Sequence, residues 1–116
     1  MSDDFNLVLD LCQDKHQRII LGVLATERRP LTLNDLTKAV LKHNHQMPVT
    51  EISEEVLTPI RISMHHQHIP KLTSAEIVKY DSKRRLVEPT AEFERFEPHL
   101  SAILEADPDL ELPLGL

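Results

Sequence analysis

The length, composition and charge of the chain favour one small protein domain. Its 116 residues are 41% hydrophobic, 28% charged and only 3% aromatic, with a formal net charge of −6, so aliphatic side chains must fill a modest core. The single cysteine excludes an intrachain disulfide, the apolar runs are too short to span a membrane, and the acidic start is unlike a secretory signal, so we expect a cytoplasmic protein.

The first part of the chain contains start signals for two helices. Asp14 is a good N-cap, with Gln17 as its capping-box partner three residues later, and the apolar positions that follow predict a helix ending before Pro30. Thr32 is a second N-cap and predicts another helix after it. Apolar spacing over residues 5–11 predicts a shorter helix in front of both.

A third helix is predicted over residues 59–74. Pro59 suits the first position of a helix, and Thr58 suits the N-cap before it. The apolar face of this helix is Ile62, Ile69 and Leu72. Pro70 lies inside the helix, where it removes a backbone donor, so we expect the last turn to be distorted.

The remainder of the chain predicts a β-hairpin and a last helix. Residues 77–80 alternate as a strand does, and residues 86–88 return after the polar turn 81–85. A helix over 90–106 follows, and the tail 107–116 is predicted to be irregular. The apolar stripe of the last helix consists of Phe93, Phe96, Leu100, Ile103 and Leu104.

The order of these elements predicts the fold class. Helices, a hairpin and a last helix follow the plan of a winged helix-turn-helix domain with an added C-terminal helix, which is mainly α with a small β-hairpin. We therefore predict a winged helix-turn-helix domain over 1–89, a C-terminal helix over 90–106 and an acidic tail over 107–116.

One stretch of the third helix resembles a known family. Residues 62–72, Ile-Ser-Met-His-His-Gln-His-Ile-Pro-Lys-Leu, are similar to the LyHxHLPkL signature of a haloarchaeal family of uncharacterised winged-helix domains, and residues 73–81 resemble its aDaGvVeyD continuation. More loosely, residues 63–78 resemble the ends of recognition helices in ArsR-type repressors. The resemblance implies a regulatory DNA-binding fold in which His66 and His68 are structural.

The chain departs from that family at Glu76, where the family has Gly. Gly at this position would serve a left-handed helix C-cap, a conformation that Glu adopts only at a cost in free energy. We therefore expect a different geometry at the junction between the third helix and the first strand. The family's paired Arg is only partly kept, as His16 and Arg18.

The distribution of charge favours nucleic-acid binding more than the net charge does. Residues 88–116 carry a balance of −7, whereas residues 1–87 carry +1 and residues 61–85 carry +4 without any histidine charge. A local basic surface is what phosphate contacts require. We therefore predict a transcriptional regulator that binds double-stranded DNA with the recognition helix 59–74 and a basic wing at 81–85.

The predicted DNA contacts lie on the helix face opposite Ile69 and in the wing. Gln67 and Arg61 can read base edges, whereas Ser63 and Lys71 can contact phosphates. The wing contributes the basic triplet Lys83, Arg84 and Arg85. The alternative is an ordinary surface helix and a solvated hairpin tip, which many proteins make charged to protect a sheet edge.

Protein partners are predicted at two further surfaces. The apolar stripe of the last helix either packs on its own domain or pairs with a second copy, and we predict a homodimer because winged-helix regulators usually bind two half-sites. The alternative function is a protein-interaction module that binds a partner through Ile60 and Met64 and does not bind DNA.

No pattern in the sequence predicts an enzyme, a cofactor or a metal site. The chain has no Ser-His-Asp set, Gly-rich phosphate loop or paired carboxylate motif. His65, His66 and His68 are close in sequence. His43 and His45 form a second group, but no cysteine or carboxylate pattern completes a metal site with either group.

Overall fold

The computed structural model describes residues 3–45 and 48–116. The helices are α1 (Asp3–Leu11), α2 (Lys15–Glu27), α3 (Leu33–His45), α4 (Glu54–Ser63), α5 (Ile69–Ser74) and α6 (Phe93–Ala106), with a 3-10 turn at Val49–Glu51 and a π-helical turn at Met64–His68. The strands are β1 (Leu31–Thr32), β2 (Val78–Asp81) and β3 (Leu86–Pro89). Among the described helices, none combines the length and apolarity that crossing a bilayer requires.

The three strands form a small antiparallel sheet in the order β1-β3-β2. Val87 at the centre of β3 pairs with Leu31 on one side and with Tyr80 on the other. The predicted fold class is confirmed, since the chain is mainly helical with this sheet and a C-terminal helix in a winged-helix-like arrangement. The sequence did not predict β1, because two residues carry too little pattern to show a strand.

The predicted caps of α2 and α3 are confirmed. Asp14 Oδ1 accepts hydrogen bonds from the backbone N–H groups of His16 and Gln17, at 2.8 and 3.3 Å. Thr32 Oγ1 accepts one from Asp35, at 3.0 Å. The side chain of Gln17 is buried and lies against His68 instead of closing a capping box.

The predicted start of the third helix at Pro59 is wrong. Helix α4 begins at Glu54 behind the extended N-cap Ser53, and Pro59 is its sixth residue. Pro59 is exposed, so water can bind the carbonyl that loses its helical partner there. Because α4, the π-helical turn and α5 follow one another without a break, we call the segment 54–74 the long helix.

The distortion predicted for the last turn of the helix lies before Pro70 instead, as the π-helical turn, and the last turn is regular α-helix. The N–H of Ile69 donates to the carbonyl of Met64, five residues earlier, and this wider turn makes room for a proline ring that would clash in an α-helix. The extra residue also rotates one half of the helix against the other. Consequently Met64 is fully buried and Ile62 is 54% exposed. The predicted apolar face is right at Ile69 and Leu72, which are buried, but wrong at Ile62.

The junction between the long helix and β2 keeps the left-handed geometry that a glycine would adopt. Glu76 has a φ of 63°, its N–H donates to the carbonyl of Thr73, and the N–H of Ile77 donates to that of Leu72. These two bonds define a Schellman motif. The expectation of a different geometry at Glu76 is therefore wrong, and Glu holds a strained conformation there.

The apolar stripe of α6 is buried in the protein's own core. Phe93, Phe96, Leu100 and Leu104 are at most 5% exposed, and Ile103 packs against the same core. Helix α6 packs on α1 and α2. The prediction that these five residues form a dimer interface is therefore wrong for the four buried side chains, because they have no surface to offer to a second copy.

The tail 107–116 has no helix or strand, as predicted, but it packs closely on α2. Leu114 is fully buried, and a Cβ atom at Gly22 would collide with its Cδ1. Arg18 forms an ion pair with Asp107 at 3.0 Å. The three predicted segments therefore share one hydrophobic core.

Candidate nucleic-acid interface

A cleft of about 310 Å³ lies between the long helix and the β2-β3 hairpin. We call it the helix–wing cleft. Its lining residues are Leu33, Arg61, Ile62, His65, His66, Tyr80, Ser82 and Arg85. The long helix contributes Arg61, Ile62, His65 and His66, and the hairpin contributes Tyr80, Ser82 and Arg85. The cleft is therefore built from the two elements that a winged helix presents to DNA.

Two adjacent imidazoles occupy the helix side of the cleft because the π-helical turn presents them there. His65 and His66 are both exposed, and their ring centroids lie 5.0 Å apart in an edge-on arrangement. The His65 ring also meets Tyr80 on β2 edge-on, at 6.1 Å. His65 therefore connects the helix to the wing.

Arginine side chains stand on both sides of the cleft. Arg61 is half-buried, and its guanidinium donates to Asn34 Oδ1 at 3.3 Å and pairs with Glu54 at 3.5 Å. Arg85 is exposed and has a left-handed φ of 53°. Its carbonyl accepts the N–H of Leu33 at 2.9 Å, which fixes the end of the wing against the start of α3.

The tip of the wing is organised by one carboxylate. Asp81 Oδ1 accepts the backbone N–H groups of Lys83 and Arg84 at 3.0 and 3.2 Å, and its Oδ2 accepts from Arg84 Nε at 3.1 Å. These hydrogen bonds from Arg84 hold the pKa of the Asp81 carboxyl below its usual value. Within residues 3–45 and 48–116, Lys83 and Arg85 make no ion pair, so the wing has two cations without a carboxylate partner there.

Comparison with known proteins gives one family. Residues 9–88 match the family described as Domain of unknown function (DUF7344). The chain belongs to this family. No curated protein and no solved structure matches the chain. The DUF7344 match spans the long helix, the wing and the whole lining of the cleft, whereas α6 and the tail lie beyond it.

The predicted DNA contacts fall on two sides of the DUF7344 domain. Arg61 and Arg85 line the cleft. Ser63, Gln67 and Lys71 lie outside its lining: the hydroxyl of Ser63 donates to Gln67 Oε1 at 3.4 Å, and Lys71 Nζ lies 4.0 Å from Asp10 on α1. The structure thus brings Arg61 and Arg85 together in the cleft, whereas Lys83, Arg84 and the other three helix residues lie outside its lining.

Sequence reasoning missed most of the helix side of the cleft. Ile62 was assigned to the core, and His66 was assigned a structural role, yet both are exposed. His68 is buried, in agreement with the role that the resemblance implied for it. The one signal of this arrangement was Pro70, because the turn that accommodates it also rotates the preceding residues.

The surface predicted for a protein partner is not available. Met64 is fully buried, and Ile60 is half-buried and packs against the core. The prediction that these two residues anchor a partner is therefore wrong for Met64. The exposed apolar residue of this helix segment is Ile62 instead.

The buried side of the long helix carries a separate polar cluster. Asp14, His16 and His68 lie together where the start of α2 meets the π-helical turn. Burial lowers the pKa of His68, with the neighbouring Asp14 charge opposing that effect. Nearby, burial raises the pKa of the Cys12 thiol to about 11, so this thiol is a poor nucleophile at neutral pH.

Proposed function

We propose that the protein is a transcriptional regulator that binds double-stranded DNA in the helix–wing cleft. The observation that carries the proposal is the pair of exposed wing cations, Lys83 and Arg85, which have no carboxylate partner in the described residues. Arg85 also lines the cleft beside the long helix. Most non-specific affinity for DNA comes from such cations, because they displace counterions from the phosphates.

The exposed helix face supplies groups that suit base edges. Arg61 can donate to guanine, and Ile62 can contact the methyl group of thymine. His65 and His66 add imidazole N–H donors. In winged helices the recognition helix enters the major groove while the wing contacts the backbone, and this division matches the placement of apolar and basic groups in the cleft.

The family resemblance of the long helix supports the same proposal. The His-Gln-His-Ile-Pro-Lys-Leu stretch, residues 66–72, resembles the signature of haloarchaeal winged-helix domains, and we propose that the chain is a winged-helix domain of that kind. We also retain a homodimer as part of the proposal, since two half-sites require two copies. Its interface must differ from the buried stripe of α6.

Fluorescence anisotropy with a short labelled duplex tests the proposal. We expect affinity that falls steeply between low and high salt, and tighter binding to DNA upstream of the protein's own gene than to an unrelated duplex. Replacing Lys83 and Arg85 together by Ala is expected to reduce the slope of log K against log salt by about two, because two phosphate contacts are lost.

The matched control removes two other exposed arginines. Arg28 and Arg29 pair with Glu97 and Glu27 and lie outside the cleft lining. The double variant Arg28→Ala/Arg29→Ala changes the net charge equally and is expected to leave the salt slope within about half a unit of wild type. Absence of salt-dependent binding, or equal effects of the two double variants, would contradict the proposal.

The exposed Ile62 favours one other candidate function, a protein-interaction module. An apolar side chain at the centre of a cleft is a common anchor for a protein partner. If DNA binding is absent, and Ile62→Asp abolishes capture of a partner that the wild type retains, the protein-interaction module replaces the regulator as the better explanation.

A further inference from the structure

The polar cluster on the buried side of the long helix has the composition of a metal site. Asp14, His16 and His68 each offer one ligand atom, and these atoms all lie within 4.8 Å of one another. His68 is buried, and the other two residues are half-buried. The three residues come from the start of α2 and from the π-helical turn, which the fold brings together across more than fifty positions of sequence.

Two imidazoles and a carboxylate suit a divalent transition-metal ion. Zn²⁺ binds nitrogen and carboxylate oxygen at about 2.0–2.2 Å, so its tetrahedral ligands lie about 3.4 Å from one another. The three ligand atoms, which lie within 4.8 Å of one another, must therefore approach by up to about 1.4 Å to reach that spacing. Three protein ligands leave the fourth position for water, which the partial exposure of Asp14 and His16 allows.

Each imidazole is also held by a side-chain amide. Gln17 Nε2 lies 3.3 Å from His68 Nδ1, and Asn44 Nδ2 lies 3.0 Å from His16 Nε2. Histidines that bind metals ordinarily donate the N–H of their second ring nitrogen to an oxygen. Each amide takes this role once it turns its oxygen toward the ring, and that hydrogen bond then fixes the tautomer and the ring orientation. The carboxylate is fixed as well, because Asp14 Oδ1 caps α2.

The buried amide of Gln17 can supply the acceptor that His68 needs. Gln17 is 2% exposed, and its Oε1 has no hydrogen-bond partner among the described residues. Rotating the amide by 180° would let Oε1 accept a hydrogen bond from Nδ1–H of His68. That tautomer leaves Nε2 of His68 with the lone pair that a metal ion needs.

We propose that Asp14, His16 and His68 bind one divalent transition-metal ion of the Zn²⁺ class, with Gln17 orienting His68. The ion ties the start of α2 to the π-helical turn, whose outer residues His65 and His66 line the cleft. Metal binding therefore stabilises the arrangement of the long helix on the core. The site does not depend on the proposed DNA binding.

Titration with Co²⁺ tests the site directly. The full chain is stripped with a chelator, freed of it and titrated with Co²⁺, whose visible absorption reports a low-symmetry nitrogen and oxygen site. We expect one ion per chain, displacement by Zn²⁺, and a melting temperature that rises when Zn²⁺ is added. No visible band, or a melting temperature that Zn²⁺ leaves unchanged, would overturn the proposal.

Two variants separate this site from adventitious binding by surface histidines. Asp14→Asn keeps an N-cap and removes the carboxylate, and His16→Gln removes one imidazole at a half-buried position. Each is expected to weaken Co²⁺ binding by at least tenfold. The controls His65→Gln/His66→Gln and His99→Gln are expected to bind within about twofold of wild type, because surface imidazoles outside the three ligands do not contribute.

Comparison of Co²⁺ binding between the ligand variants and the control variants decides whether the proposal stands. Loss of Co²⁺ binding in the controls, with binding retained in Asp14→Asn and His16→Gln, would show that surface histidines bind the ion and would overturn the proposal. Circular dichroism checks that each variant is folded. If one of the two ligand variants unfolds, the other still gives the result.

Discussion

The helix–wing cleft and the C-terminal segment 93–116 each contain residues that were predicted to contact a partner, the DNA contacts in the first and the stripe of α6 in the second, but the two regions are built differently. The C-terminal segment buries its apolar groups: Leu100 and Leu114 lie in the core. The cleft keeps its groups outside, with Ile62 half exposed and Arg85 unpaired within the described residues. An apolar stripe is thus no evidence of an interface until the protein's own core has been accounted for.

The same comparison explains how a chain with a negative net charge can have a basic cleft. Acidic residues of the C-terminal segment pair with α2, as Asp107 does with Arg18 and Asp109 with Lys15. The acidic segment therefore pairs with cations of α2, and none of its ion pairs among the described residues involves Lys83 or Arg85. A net charge of −6 is compatible with a basic cleft for this reason.

The largest expected effect tests whether the π-helical turn rotates one half of the long helix against the other, which buries Met64 and exposes Ile62. Met64→Ala removes a fully buried side chain and is expected to lower the free energy of unfolding by about 2–5 kcal/mol. Ile62→Ala, two residues away but 54% exposed, is expected to change it by less than about 0.5 kcal/mol. Urea unfolding measures both variants, and the reverse order would show that the predicted apolar face was right.

The second prediction tests whether the tail belongs to the core. Leu114→Ala is expected to cost about 2–3 kcal/mol, the lower part of the range for buried leucines, because the tail can shift to fill part of the cavity. Leu112 is 43% exposed in the same tail, so Leu112→Ala is the matched control and should be nearly neutral. Equal and small losses in thermal unfolding would mean that the tail is detached in solution.

The third prediction concerns the joint that positions the wing. Glu76 adopts a φ of 63°, which costs a residue with a side chain about 1 kcal/mol. Glu76→Gly is therefore expected to raise the free energy of unfolding by about that amount, whereas Glu88→Gly on β3 is expected to lower it. A destabilised Glu76→Gly variant in chemical denaturation would refute the left-handed cap.

The smallest expected effect tests whether the tip of the wing lies close to the DNA phosphates. Asp81→Asn keeps an oxygen that can accept the two backbone N–H groups but removes the charge that pairs with Arg84. We expect affinity for duplex DNA to rise a few-fold and the salt slope to steepen by about one, because a third wing cation becomes available. Unchanged or weaker binding in anisotropy would place the phosphates away from the wing tip.

Local signals in the sequence predicted the fold well. Asp14 and Thr32 marked two helix starts through their own side chains, and the hairpin followed from alternation and a polar turn. Pro59 misled the prediction because a proline is also tolerated on an exposed helix face. The tail could not be predicted, since its packing depends on Gly22, which lies more than ninety residues earlier and leaves space for Leu114.

The candidate site was only partly predictable. Arg61 and Arg85 were found because basic residues are visible as such in the sequence. His65 and His66 were missed as cleft residues because the π-helical turn breaks the periodicity on which face assignment rests. The cluster of Asp14, His16 and His68 was missed because its members are distant in sequence and close only in the fold.

The most direct test of the central claim is a map of the surface that contacts DNA. Backbone amide shifts of the labelled protein are recorded by NMR while a duplex is added. The account predicts that the changes concentrate at 61–67 and 82–86 and spare the tail at 107–116. Changes centred on the tail or on α6, or no changes at a salt concentration where binding is measured, would contradict it.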